Sequence, residues 1–188
     1  MEDLRAYQPL RQLFAELVGR VFWNKPIELR DREVLLYLCD LLTRFTRMDR
    51  IYRLRDARGR RLEEVAEMLM EADVLLNARS FHQEREVHKH IGDFTLFWTG
   101  VYPEALRLLR HPTRKDHLID YVQQGKRSYY IASTFEEGEW RKESRILRRL
   151  SHEFEICSFG LNLVRREWEK MGDPTYRLIM EAFEDWEG

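Results

Sequence analysis

The chain has 188 residues, enough for a compact domain with a sizeable apolar core. Apolar residues make up 44% and charged residues 35%, which excludes a disordered chain, and the formal net charge of -1 excludes a globally basic nucleic-acid protein. With only 9 Gly and 5 Pro the sequence has too few turn residues for a many-stranded β protein. Leu outnumbers Val and Ile together, which favours helix.

The first three predicted elements follow from apolar spacings of three and four residues. A first helix ends near residues 23–26, and Asp31 caps a second helix whose apolar residues share one sector. A turn over residues 55–60 leads into a third helix over residues 62–76, which carries an acidic outer face.

The fourth predicted helix is the most apolar element of the chain. Ser80 and Gln83 match a capping box at its start, and no charge occurs between Asp93 and Glu104. A helix that is apolar or small on every side is enclosed by its neighbours, so we expect this one at the centre of the fold. Its predicted core residues are Val87, Ile91, Gly92, Phe94, Thr95, Leu96, Phe97, Trp98, Thr99 and Val101.

A fifth long helix follows residues 111–113, with an apolar stripe that starts at Leu118 and continues to Ala132. Gly125 lies on this stripe, where it costs roughly 1 kcal/mol of helix propensity relative to Ala. A glycine on the apolar face predicts that another helix approaches closely there.

The last long helix is predicted over residues 139–170. Its apolar positions alternate in steps of three and four, at Leu147, Leu150, Phe154, Cys157, Leu161, Val164 and Trp168. A second apolar face comprises Ile156, Phe159, Gly160 and Leu163, which indicates a buried bundle element. Gly172 ends the helix, and Pro174 starts a closing one.

These elements predict an all-α fold, a single irregular bundle of seven or eight helices in one domain over residues 1–188. Cys39 and Cys157 lie in apolar stretches, where unpaired cysteines are typically small buried side chains. The first five residues carry charges of both signs, and no apolar run reaches the roughly 20 residues of a membrane span. We therefore expect a soluble cytoplasmic protein.

The histidines do not form a metal motif. None has Glu three residues before it, and the spacings of structural zinc sites are absent, so we expect no metal and no cofactor. His82 with Glu86 and His88 with Glu84 are interpreted as solvated charge pairs, because both lie away from the apolar stripe of their helix.

A small-ligand or enzymatic site is one hypothesis for the two helices that contain residues 90 and 121–129. Asp93 lies one turn after His90, and a neighbouring carboxylate can orient an imidazole and raise its pKa; the same pair can also be a plain buried hydrogen bond. The candidate ligand-binding residues are His90, Asp93, Tyr121, Lys126, Ser128 and Tyr129.

Nucleic-acid binding is a second alternative, carried by residues 44–61. This segment contains eight Arg and two Asp, and its candidate contacts are Arg53, Arg55, Arg58, Arg60 and Arg61. Five acids follow within residues 63–73, so we expect charge pairing between neighbouring helices in place of phosphate binding.

Two segments resemble a family of uncharacterised bacterial helical proteins. Residues 90–104 read HIGDFTLFWTGVYPE and residues 120–129 read DYVQQGKRSY, which are similar to the Gly-Asp-x-x-Leu-Phe…Gly…Pro-Glu and Tyr…Gly-Lys/Arg-x-Ser-Tyr stretches of that family. The resemblance implies a bacterial cytoplasmic protein and brings no activity, cofactor or catalytic residue.

Balanced charge, heptad spacing and the lack of a complete catalytic set favour a non-enzymatic interaction or regulatory domain. A homodimer or another protein partner is expected, because Phe183 and Trp186 of the closing helix would be exposed if nothing covers them.

Overall fold

The computed structural model describes residues 2–24, 27, 29–73 and 80–187, with side chains given from residue 8 to residue 185. Within these ranges the chain forms ten α-helices and no strand beyond a single bridge between Arg55 and Arg61. The helices are α1 (Glu2–Trp23), α2 (Arg32–Phe45), α3 (Met48–Ile51), α4 (Val65–Ala72), α5 (Phe81–Gly100), α6 (Leu106–Leu109), α7 (Tyr121–Ser133), α8 (Arg141–His152), α9 (Phe154–Lys170) and α10 (Pro174–Glu187). The all-α prediction is confirmed, and short helices such as α3 and α6 raise the number above seven or eight.

Helix α5 lies at the centre of the bundle, as predicted. Ser80 accepts a hydrogen bond from the Gln83 backbone N–H at 3.2 Å, and from residue 87 to residue 101 only Lys89 and Thr99 are not fully buried. Helices α4, α7 and α9 pack against α5.

The contact between α5 and α7 is close because of two glycines. A Cβ at Gly92 would lie 2.5 Å from the ring of Tyr129, and a Cβ at Gly125 would overlap Thr95 of α5 and Phe154 of α9. The predicted close approach at Gly125 is therefore confirmed.

The last long helix is two helices, so its predicted continuity is wrong. Glu153 leaves helical geometry between α8 and α9, with φ -99° and ψ 21°. The apolar alternation continues through this break, and all seven predicted core positions from Leu147 to Trp168 are buried. Side-chain periodicity alone therefore did not reveal the interruption of the backbone.

The second apolar face predicted on this segment is only partly buried. Gly160 packs beneath the ring of Phe22 from α1, whereas Ile156 and Phe159 are 40% and 51% exposed. Helix α1 covers the Gly160 side of α9 and leaves these two side chains in solvent.

Two predicted elements start later than expected. The third predicted helix begins at Val65 and ends at Ala72, and its residues 74–76 lie outside the described ranges. Leu118 is 83% exposed in a 3-10 turn instead of on the stripe of α7, because Asp120 caps that helix by accepting from the Val122 and Gln123 backbone N–H groups.

Phe183 is buried, so it does not support the predicted dimer. Its ring contacts those of Phe97 and Trp98 at centroid distances of 5.6 and 5.8 Å. The Trp186 side chain lies outside the described part.

Cys39 and Cys157 are free and buried, as expected. None of the described helices has the length and apolarity needed to cross a membrane.

Candidate binding site

A buried carboxylate on α5, Asp93, joins α5 to α2 and α7. Tyr37 and Tyr129 each donate a hydroxyl hydrogen bond to its Oδ1, at 2.7 and 2.8 Å. Arg44 of α2 donates from Nη2 to Oδ2 at 3.0 Å. The carboxylate is 0% exposed, and both of its oxygens are satisfied by protein donors.

The Asp93 carboxylate is ionised at neutral pH. Burial alone would raise its pKa, but the charges of Arg44 and Lys89 and the two hydroxyl donors outweigh burial and hold the pKa below its usual value. Burial, together with this carboxylate, raises the pKa of Tyr37 and Tyr129 well above the usual value. Both tyrosines are therefore protonated donors in a fixed network.

His90 does not pair with Asp93, which corrects the interpretation of the two as an orienting pair. Its Nε2 donates to the Ile51 carbonyl at 2.9 Å, and its Nδ1 accepts from Arg53 Nε at 3.1 Å. Complete burial and the charge of Arg53 lower the pKa of His90 to about 3, whereas the sequence interpretation suggested a rise. The imidazole is neutral and ties α5 to the end of α3.

His88 is buried, so its interpretation as a solvated partner of Glu84 is wrong. Helix α7 packs over this side of α5, and the His88 Nδ1 lies 3.3 Å from the Ser128 hydroxyl oxygen. Burial and the nearby charge of Arg127 lower the pKa of His88 to about 4.

The pKa values of these two histidines predict that the fold becomes less stable in acid. Each has a folded-state pKa below the unfolded value of about 6.5, so the unfolded chain binds more protons between about pH 3 and pH 6.5. The free energy of unfolding should fall as the pH drops through that window. Urea denaturation from pH 7 to pH 4 measures the slope, and H88Q should reduce it. A flat wild-type profile, or the same slope in H88Q, would contradict this account.

The other candidate residues belong to separate clusters. The Tyr121 hydroxyl donates to Asp116 at 2.6 Å, and Lys126 forms an exposed ion pair with Glu155 at 2.7 Å. Asp116 also accepts from the backbone N–H groups at residues 65 and 66 and so caps α4. The structure therefore does not bring the six predicted ligand-binding residues to one cavity.

A groove with a volume of about 510 Å³ lies between α2 and α8 and was not predicted from the sequence. We call it the α2–α8 groove. Its apolar side chains are Leu36, Tyr37, Trp140 and Ile146, of which Leu36 is 44% exposed. Since the Tyr37 hydroxyl binds Asp93, the groove lies directly above the buried network.

Carboxylates outnumber cations among the residues that line this groove, but three of the four are paired with cations: Asp40 with Arg11, Glu33 with Lys142, and Glu143 with two cations of α5. The charged residues that line it are Glu33, Asp40, Glu139, Glu143 and Lys142. Glu143 is fixed from below by two cations, since Arg85 Nη2 and Lys89 Nζ each lie 2.5 Å from its carboxylate. Arg85 is buried, and its guanidinium stacks 5.2 Å from the Trp140 ring centroid. Both walls of the groove are thus anchored to α5.

Most arginines of residues 44–61 are exposed and bind groups of the protein itself. Arg44 binds Asp93, Arg53 contacts His90, and Arg55 donates to backbone carbonyls. Arg60 pairs with Glu67 of α4 at 3.0 Å and with Asp56 at 3.1 Å. Pairing with the following acids, as expected from the sequence, is therefore present at Arg60. For the exposed Arg58 and Arg61 side chains, no ion pair occurs among the described residues.

This arrangement predicts weak nucleic-acid binding. Replacing Arg58, Arg60 and Arg61 together by Ala should change the urea midpoint only slightly, because exposed pairs contribute little. We expect no tight binding of RNA or DNA at physiological salt, measured by filter retention over a salt series. Tight binding that falls steeply with salt and is lost in the triple variant would overturn the expectation.

Within the described ranges, no group of three or more His, Cys, Asp or Glu side chains could hold a metal ion. Comparisons of the chain with protein-family models, with curated proteins and with solved structures find no match. The α2–α8 groove and the polar network beneath it are accordingly the features on which a function can be argued.

Proposed function

We propose that the chain is a non-enzymatic interaction domain, and that its α2–α8 groove binds a basic amphipathic segment of a partner protein. The observation that carries the proposal is the exposed Leu36 side chain, which lies in the groove with the exposed Glu139. Among the described residues Glu139 has no ion pair, whereas the other three carboxylates of the groove are paired with cations of the chain. A partner helix buries its apolar residues on Leu36 and Ile146, and its cations face Glu139 and the exposed ion pairs of Glu33 and Asp40.

The state of the buried polar groups favours a binding domain over an enzyme. Asp93 is saturated by donors from Tyr37, Tyr129 and Arg44, and both tyrosines hold their protons. His90 is neutral and has both ring nitrogens occupied. These groups stiffen the groove floor, and preformed floors lower the entropic cost of binding.

We also propose that this is a cytoplasmic protein of a bacterium. The two free, buried cysteines fit a reducing compartment, and the likeness of residues 90–104 and 120–129 to bacterial helical proteins supports the source.

Synthetic peptides test the proposal directly. Three fluorescent amphipathic peptides share one leucine face and differ only in carrying Lys, Glu or Gln on the other face. We expect the Lys peptide to bind at least about tenfold more tightly than the other two in anisotropy titrations, and its affinity to fall as salt increases. Equal binding of the three peptides would exclude the proposed charge preference.

A matched pair of variants locates the binding surface. L36R places a cation and a bulky polar side chain in the groove, so it should weaken binding of the Lys peptide at least about tenfold. L178R makes the same change at a 66% exposed position of α10 and should leave binding unchanged. Unaltered binding to L36R would mean that the α2–α8 groove is not the site.

A further inference from the structure

Helix α10, the last helix of the chain, docks on the bundle along a single apolar stripe. The stripe consists of Tyr176, Ile179, Met180 and Phe183, which are buried or half-buried and lie three or four residues apart. The opposite face of α10 is exposed, and its apolar residue there is Leu178. Anchors at positions i, i+3, i+4 and i+7 are typical of an amphipathic helix bound in an apolar groove.

The surface beneath α10 is such a groove, and we call it the α10 groove. Its side chains are Phe14 of α1, Leu42 and Phe45 of α2, Phe97 and Val101 of α5 and Trp168 of α9. The rings contact one another, with centroids 5.0 Å apart for Phe14 and Trp168 and 5.3 Å apart for Phe45 and Phe97. Helix α1 packs directly on α2 and α9, and α5 packs on the same two helices. These contacts hold the groove together without any residue of α10.

Few polar contacts fix α10 in the groove. Among the described residues no ion pair joins α10 to the rest of the chain, and all four of its charged side chains from residue 177 to residue 185 are exposed. Arg165 Nε donates a hydrogen bond to the Tyr176 hydroxyl at 3.2 Å. Within the same ranges no other helix packs its backbone closely along α10. The four apolar side chains therefore provide most of the attachment.

A short connection joins α10 to α9. Helix α9 ends at Lys170 and α10 begins at Pro174, and Gly172 between them has a φ of 65°. No heavy atom lies within 4 Å of the Cβ that another residue would place at Gly172, so this position lies in open space. A change of backbone angles at residues 171–173 would move α10 as a unit. Terminal segments with few contacts open at a lower free energy than the core of a fold.

We propose that α10 is a displaceable helix that covers the α10 groove, and that the uncovered groove binds an amphipathic helix of a partner protein. The α10 stripe defines the chemistry of that partner, which carries apolar anchors at the same four spacings. The last anchor is an aromatic ring in the place of Phe183, whose ring contacts Phe97 and Trp98. Because the α2–α8 groove has different lining residues, the two binding proposals succeed or fail independently.

Hydrogen exchange of the full-length wild type measures whether α10 opens separately. Mass spectrometry of peptic fragments gives the exchange rates of the backbone amides in each helix. We expect the amides of α10 to exchange at least about a hundredfold faster than those of α5, because α10 opens while the bundle stays folded. Equal protection of the two helices would mean that the chain opens only as a whole, and it would overturn the proposal.

A peptide with the sequence of residues 174–187 tests the groove itself. F183D places a charge in the apolar groove and should release α10 from it. The fluorescent peptide should then bind F183D at least about tenfold more tightly than it binds the wild type, in which the chain's own α10 competes for the groove. A peptide carrying the F183D change should not bind. Anisotropy titrations measure the three affinities.

L178D is the matched control, since it introduces the same charge on the exposed face of α10 and should bind the peptide as weakly as the wild type does. Circular dichroism and urea denaturation measure whether both variants fold. A globally unfolded F183D, or equal binding of the peptide to F183D and the wild type, would overturn the proposal. Sedimentation equilibrium provides one more test: a wild-type dimer that F183D abolishes would assign the groove to α10 of a second copy instead.

Discussion

Replacing Asp93 by alanine should lower the free energy of unfolding by about 2–4 kcal/mol. The substitution leaves the hydroxyls of Tyr37 and Tyr129 in the bundle interior without their acceptor, and each orphaned buried hydroxyl costs about 1–3 kcal/mol. Arg44 also loses its counter-charge, but its side chain is 38% exposed and water can rehydrate it. Most of the loss therefore comes from the tyrosines.

Urea denaturation measures this effect, with D49A as a control. Asp49 also binds an arginine, Arg47, but its side chain is 53% exposed, so D49A should have little effect. Adding Y37F to D93A should cost less than the two single changes together, because the orphaned hydroxyl is already lost. Strict additivity, or a D93A effect as small as that of D49A, would contradict the role given to the buried network.

The second large effect is that two glycine-to-alanine substitutions should change the free energy of unfolding in opposite directions. In a helix this change usually stabilises by up to about 1 kcal/mol. At Gly92 the new Cβ would lie 2.5 Å from the Tyr129 ring, which its hydrogen bond to Asp93 holds in place. We expect G92A to destabilise the fold by about 1–3 kcal/mol, as overpacking typically does.

Gly19 provides the matched case on α1. No heavy atom lies within 4 Å of the Cβ that an alanine would add there, so G19A should stabilise by about 0.5–1 kcal/mol. Thermal and urea denaturation measure whether each variant is more or less stable than the wild type. Stabilisation by G92A would mean that α5 and α7 have room between them.

Local and periodic features were predictable from the sequence. The Ser80 cap, the enclosed helix α5 and the close approach at Gly125 depend on residue types at fixed spacings, which the sequence displays directly. The buried positions of α8 and α9 were also predictable, because one face of each helix repeats every three or four residues regardless of the break at Glu153.

Long-range partners were not predictable in the same way. Tyr37 and Arg44 precede Asp93 by 56 and 49 positions, and Asp116 caps a helix about 50 positions earlier. Nothing local to a tyrosine or an arginine specifies which carboxylate it will meet. His88 was misplaced for the same reason, because its burial depends on where α7 packs.

The α2–α8 groove was missed because helical spacing defines the faces of a helix without saying which neighbour covers them. Leu36 lies among apolar residues of α2 that are mostly buried, yet it is 44% exposed in the groove beside α8. Phe159 is a second case, because helical spacing placed it on an apolar face of α9 that no neighbouring helix covers fully. Such surfaces become visible only once the helices are assembled.

The Asp93 carboxylate also affects how α2 aligns along α5. The close contacts at Gly92 and Gly125 already hold α7 in place along α5, but the apolar residues of α2 alone would tolerate a slide by one turn, about 5.4 Å, since one leucine of α2 can take the place of another. Such a shift would separate Tyr37 and Arg44 from Asp93 and leave the buried charge without its counter-charge. A single ionised side chain thus selects one longitudinal register among several that bury comparable apolar surface.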